Sequence, residues 1–233
     1  GERTLAPSCC RCWMPCANEP VTALAHPKET RTEMDIEMNR AELLTRFLLQ
    51  RPAPAHRLML AGLKPAAVLI PLVERPQGLH LLLTRRSPTL RHHPGQISFP
   101  GGRQDPEDES LIHTALRETH EELGIPASQI RVIGSLTPLN TISLYDVLPV
   151  LAMIDPDYRL ALSPDEVEQA FEVPLSHVLD PAHHIALTLP RAGKRHTIYW
   201  IPWQHSFIWG ATASMIRQLA QHLSGQHIDN LSG

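Results

Sequence analysis

Cysteine is missing from most of this chain. All four Cys of the 233-residue sequence fall in one early cluster (Cys9, Cys10, Cys12 and Cys16), and none follows. No disulfide framework therefore staples the body together, and a reducing, cytoplasmic setting is expected. Long apolar runs are absent as well. Nothing approaches the roughly 20 residues of a membrane-spanning helix, so no membrane partner is expected. Neither sign of charge prevails: 21 Lys and Arg stand against 24 Asp and Glu, a formal net charge of -3. Without a basic surface, general electrostatic binding to nucleic acid is not expected. Internal repeats and low-complexity tracts are also lacking. What is there is a 42% hydrophobic fraction, enough to build a core for one large domain or two small ones. The 22 Pro imply a loop-rich architecture.

Residues 1–37 hold the whole Cys cluster and four Pro, with no sustained helical or strand period. They lack the uninterrupted apolar stretch of a secretory signal. Structural zinc sites usually draw on two well-separated Cys pairs, and this is one crowded cluster. The expectation is a disordered tail or upstream extension at 1–37, with Met34 and Met38 as candidate starts. A domain should then occupy 38–228, with a short tail at 229–233. Within the domain, Asn39 and Glu42 fit a helix N-cap and its third position, followed by the stripe Ala41, Leu43, Leu44, Phe47 and Leu48. Strands are expected at Ala66–Val73, Leu79–Thr84, Ile130–Leu136, Val147–Ile154, Ala186–Leu189 and Thr197–Trp203, the opening two joined as a hairpin at Gly78. Helices are expected at Ser110–Leu123 and Ala211–Leu223. Strands and helices interleave without a regular β-α-β repeat. The fold class is therefore read as α/β (α+β), a mixed β-sheet sandwiched between helices.

The helix at Ser110–Leu123 carries the chemistry. Leu111, Ile112, Ala115, Leu116, Thr119 and Leu123 mark its buried face, and Glu118, Glu121 and Glu122 stand at i, i+3 and i+4 beside it. Like charges at this spacing oppose a bare helix by about 0.2–0.5 kcal/mol per pair. They also crowd the C-terminal half, where the helix dipole disfavours anions. A solvated acidic face is the bland alternative. A divalent cation with oxygen ligands would relieve both penalties, and Mg2+ shared between carboxylates and substrate phosphates suits the pattern. Gly101 and Gly102 permit close backbone approach, and Arg117 can pin a neighbouring carboxylate.

Together these residues resemble the Nudix box, G-x5-E-x7-R-E-U-x-E-E-x-G-U, with U a bulky aliphatic residue. Glu109, Arg117, Glu118, Glu121, Glu122, Gly124 and Ile125 fill its fixed positions. The sequence departs in two places: six residues separate Gly102 from Glu109, and Thr119 takes an aliphatic position. Upstream, the stretch from Arg85 to Arg103 holds four Arg, His92 and His93 and no acid, whereas seven acids lie between Asp105 and Glu122. A cationic loop beside an acidic helix suits a polyanion chelated to a cation. This stretch resembles the signature L-L-T-x-R-S-x3-R-x3-G-x3-F-P-G-G of the coenzyme A pyrophosphatases, a Nudix subfamily. Leu82, Leu83, Thr84, Arg86, Ser87, Arg91, Gly95, Phe99, Pro100, Gly101 and Gly102 fill it. The longer gap resembles that subfamily's variant. Past the box, Pro149-Val150, Asp165–Val167, Val173–Leu175 and Trp203–Thr212 resemble the bacterial NudL-like enzymes.

The resemblance implies a Nudix fold and metal-dependent hydrolysis of the pyrophosphate bond of coenzyme A or acyl-coenzyme A, with Mg2+ or Mn2+ as cofactor. Glu118 and Glu122 are implied as principal metal ligands, Glu121 as a further ligand, and Glu109 as an outer or additional one. Arg117 would orient Glu118. Glu118 or Glu166 is the candidate general base. Arg86, Arg91, Arg103, Gly101 and Gly102 are candidates for substrate binding. Two rivals stand beside this reading: a Nudix enzyme for ADP-ribose, NADH or dinucleotides, and a non-catalytic nucleotide sensor. A homodimer is left open.

Overall fold

The computed structural model describes residues 38–50, 62–90, 93–141, 143–191 and 194–225, with 191 and 194–196 described by backbone alone. The expected tails and the candidate Arg91 lie outside the described residues. Asn39 starts α1 (Arg40–Leu49): its Oδ1 accepts from the Glu42 amide at 2.9 Å. The apolar stripe is narrower than the sequence suggests. Leu43 and Phe47 are buried, while Leu48 and Leu49 are exposed, because a helix packed on one side turns those positions away.

Eight strands form one mixed sheet: β1 (Lys64–Arg75), β2 (Gly78–Arg86), β3 (Ile97–Ser98), β4 (Gly101–Arg103), β5 (Ile130–Ser135), β6 (Leu139–Asn140), β7 (Tyr145–Ile154) and β8 (Val167–Pro174). Its path runs β3-β2-β1-β7-β5, with β4 against β1, β6 against β7 and β8 against β2. The β1–β7 pair is parallel, in register from Lys64↔Tyr145 to Val73↔Ile154. Burial on both faces explains the near-continuous apolar sequence of β1. Ala66, Ile70 and Leu72 enter one core, and Ala67, Leu69 and Val73 the other. Pro71 is tolerated in this central strand because it falls between two ladders. Pairing with β4 ends at Val68↔Gly101, pairing with β2 ends at Leu72↔Leu81, and the Leu69 amide bonds Pro100 O instead.

The core around Ala67, Leu69 and Val73 is closed by α2 (Leu111–Leu123). The opposite core is closed by α1, α3 (Leu175–Leu179) and α4 (Gly210–Ser224). A separate antiparallel sheet, β11-β10-β9, comprises β9 (Ile185–Arg191), β10 (Lys194–Trp203) and β11 (Ser206–Trp209). Helices thus flank a mixed sheet, as the sequence implies. Among the described residues, no helix is long and apolar enough to cross a membrane.

Candidate active site

The Ser110 hydroxyl accepts from the His113 amide at 3.1 Å and starts α2, and Gly124, at φ 73°, ends it in the left-handed region. The carbonyls at the helix end are satisfied by the following loop. Ala161 N–H bonds Leu123 O at 2.8 Å, and Ser163 N–H bonds Glu122 O at 3.0 Å. The same loop is tied to the end of β2, where Ser87 N–H bonds Glu166 O at 2.8 Å. These bonds deliver Glu166 to the C-terminal end of α2.

The buried face of α2 is rotated relative to the sequence reading. Thr114, Ala115, Thr119, Glu122 and Leu123 are buried, whereas Ile112 is exposed. Thr119 fits because its Oγ1 donates to Ala115 O at 2.7 Å, leaving its methyl to pack. The glutamates therefore occupy three environments. Glu122 is buried at 4% exposure, the Glu118 side chain is mostly enclosed, and that of Glu121 is exposed.

Arg117 organises one side of this group. Its Nε and Nη2 form a fork on Asp108, at 3.0 Å to Oδ1 and 2.9 Å to Oδ2. Its Nη1 lies 3.1 Å from Glu118 Oε1 and 3.0 Å from Glu121 Oε2. Its Nη2 also donates to Arg103 O at 3.2 Å. Asp108 is buried and accepts further bonds from the Asp105 amide and the Thr114 hydroxyl, both at 2.9 Å. The Arg117 fork holds the Asp108 carboxyl far below the usual carboxylate range, and the same contact pushes the guanidinium pKa up.

The other side of the group is unbalanced. Burial pushes the Glu122 carboxyl up to about 8, and the charges of Glu118 and Glu166 add to the shift; Arg86 and a backbone bond from Gly101 pull against it. Glu118 is also raised, chiefly by burial, against the attraction of Arg117. Within this group, two buried atoms, Glu122 Oε2 and Arg86 Nε, have no hydrogen-bond partner among the described residues. Gly102 lies so close that a Cβ there would stand 2.5 Å from Glu118 Cδ. Its neighbour Gly101, at φ 152°, would drive a Cβ into the β1 backbone, 2.6 Å from Val68 Cα. Among the described residues no three His, Cys, Asp or Glu side chains converge tightly enough to hold a metal ion. Glu118 is turned onto Arg117, and the Oε2 of Glu122 is left as a buried carboxyl oxygen without a partner. A hard carboxylate oxygen without a partner, beside a second enclosed carboxylate, is a donor set suited to a divalent cation.

A NUDIX domain model matches residues 63–191, more than half of the chain. The chain belongs to the Nudix family. The uncharacterized Nudix hydrolase NudL of Photorhabdus laumondii is 45% identical over 183 residues, covering 78% of this chain and 97% of that protein. Its namesake in Klebsiella pneumoniae is 43% identical over 193 residues, covering 82% and 98%. A solved MutT/nudix family protein from Enterococcus faecalis is 18% identical, with a TM-score of 0.45 and coverage of 78% of this chain and 68% of that one.

In this Nudix domain the structure brings Glu118, Glu166 and Arg86 within electrostatic reach of Glu122, and Glu166 within reach of Glu118, with Gly101 and Gly102 against the two α2 carboxylates. Glu121 accepts a hydrogen bond from Arg117 at 3.0 Å, and its charge adds to the upward push on Glu118. Arg103 is exposed and contributes its carbonyl to Arg117. Glu109 is not drawn into the group: it is exposed in the loop before α2, and the carboxylate that meets Arg117 belongs to the preceding residue. Sequence reasoning missed that residue. The signal was the Asp-Pro-Glu-Asp turn ahead of the Ser110 cap, which places Asp108 at a bend where an inward carboxylate can receive amides.

Proposed function

We propose that this Nudix protein hydrolyses the diphosphate of coenzyme A or its thioesters in a cytoplasmic setting. The products would be 4'-phosphopantetheine, or its acyl form, and adenosine 3',5'-bisphosphate. The observation that supports diphosphate chemistry is a pair of buried, unpartnered atoms within one electrostatic group, Glu122 Oε2 and Arg86 Nε. One asks for a cation and the other for an anionic oxygen, and a metal-chelated diphosphate supplies both. The choice of coenzyme A rests on the signature residues between Leu82 and Gly102.

In this reading Glu118 and Glu122 hold Mg2+ or Mn2+, Glu121 adds a ligand directly or through water, and Glu109 remains an outer carboxylate. When bound, the cation neutralises charge on the diphosphate oxygens and lowers the pKa of the attacking water. Arg117 holds the Glu118 carboxylate in place through its Oε1 and is itself braced by Asp108. Arg86 contacts substrate phosphate oxygens, Gly101 and Gly102 let the backbone approach the substrate closely, and Arg91 and Arg103 are further contacts. Glu166, or Glu118 itself, takes the proton of water as its oxygen bonds to phosphorus. The bridging P–O bond then breaks, and its electron pair leaves with the departing phosphate. The test is a substrate panel of coenzyme A, ADP-ribose, NADH and diadenosine polyphosphates with Mg2+ or Mn2+, products resolved by mass. Coenzyme A should have the highest kcat/KM and release adenosine 3',5'-bisphosphate. Preference for another diphosphate would overturn the substrate assignment.

A further inference from the structure

On the face of β2 opposite Arg86, an open cleft of about 330 Å3 lies against the outer face of β11. Phe207 and Trp209 are two residues apart on β11 and so share a face; Trp200, the cross-strand partner of Trp209 on β10, joins them. Phe207 is 55% and Trp209 40% exposed, which leaves aromatic surface open to a ligand. Arg85 lines the same cleft. Its Nη2 donates to Ser206 Oγ at 2.7 Å, and its remaining nitrogens have no partner among the described residues. His205 adds a further polar edge from the tight turn between β10 and β11, where Gln204 adopts φ 51°. No carboxylate lines the cleft among the described residues.

Open aromatic faces beside a fixed guanidinium, with no acid present, select a flat ring that carries an anionic group. We propose that this cleft binds a purine nucleoside phosphate, the base stacked on Phe207 and Trp209 and a phosphate held by Arg85. Arg85 and Arg86 are consecutive on β2 and face opposite sides of the sheet, so the cleft and the candidate active site share one end of that strand. The nucleotide is either the far end of the diphosphate substrate, which rests on the coenzyme A reading, or a free nucleotide.

The test titrates adenosine 3',5'-bisphosphate into the full chain and follows both tryptophan fluorescence and heat. The bisphosphate should quench saturably. Adenosine alone and inorganic phosphate alone should each bind more weakly. Phe207→Ala and Arg85→Gln should each weaken the bisphosphate about tenfold or more, as loss of a base-stacking platform or a phosphate contact does. Circular dichroism and melting check that both variants fold, and the exposure of Phe207 spares the core. A raised KM for coenzyme A in both variants identifies the occupant as the substrate's own end. An unchanged KM alongside lost bisphosphate binding identifies a free nucleotide. Failure to bind, or equal affinity in wild type and both variants, overturns the proposal. The titration needs no turnover, so it stands even if coenzyme A is not the substrate.

Discussion

The Glu122 carboxyl, pushed up from the ordinary 4.5 to about 8, gives the protein one pH-dependent contribution to stability. Between those values the folded chain keeps a proton that the unfolded chain has lost. Metal-free stability contributed by this group therefore falls as pH rises through the window, by at most about 1.4 kcal/mol per pH unit. Denaturant unfolding in EDTA at pH 5.5 and pH 8 should show the wild type losing stability relative to Glu122→Gln, and added Mg2+ should recover more at the higher pH. Equal pH profiles for the two proteins would mean that Glu122 is not held protonated. Asp108 behaves in the opposite sense. Its depressed carboxyl contributes stability that is complete above the unfolded pKa near 3.8 and is lost as pH falls through the lower folded value. Asp108→Asn strands the Arg117 fork and should cost about 3 kcal/mol, the lower end for breaking a buried ion pair, since Arg117 is partly open to water. It should also slow turnover by loosening Glu118; thermal melts and initial rates check both. Glu118, Glu122 and Arg117 were legible because charge at fixed helical spacing is a pattern in sequence. Asp108 was not, because which of two adjacent acids turns inward is decided by the bend and by the amides that meet it.

Gly101 and Gly102 are neighbours on β4, and their alanine variants should fail differently. At Gly101 the added methyl meets the β1 backbone in a conformation that side chains avoid, so Gly101→Ala should lower stability by about 1–3 kcal/mol from the backbone alone. At Gly102 it meets the Glu118 carboxylate, the movable end of a side chain. Gly102→Ala should leave the melting temperature nearly unchanged, because displacing one side chain from its rotamer costs about 1 kcal/mol. Turnover should nonetheless fall on the order of 10²-fold, the usual consequence of misplacing a reacting group by an ångström. Equal melting losses in the two variants would contradict this division. Long two-sided strands such as β1 and β7 were readable from apolar runs, and α1, α2 and α4 from caps and period. Strand β8 escaped because its partly exposed face carries Glu172, which Arg75 grips from β1 at 2.9 and 2.6 Å and Tyr158 bonds at 2.8 Å. The two- to four-residue strands β3, β4, β6 and β11 are too short for any period and exist only through their partners.

Across the whole molecule, β2 connects the parts that matter. It pairs with β1, β3 and β8, carries Arg86 toward the α2 carboxylates, and carries Arg85 toward the aromatic cleft. The mixed sheet between helices was legible from the interleaving of elements. The second sheet was not: strands were expected at Ala186–Leu189 and Thr197–Trp203, but only tertiary pairing separates β9, β10 and β11 from the main sheet. Burial of Glu122 in this arrangement opposes stability, and under the proposed function it is retained for cation-dependent hydrolysis. Mg2+-dependent turnover of coenzyme A by Glu122→Gln tests it most directly, because the substitution keeps the shape and removes the charge. The expected result is a folded protein whose turnover is at least about 10²-fold below wild type. Turnover near the wild-type value, in a variant that melts normally, would contradict it.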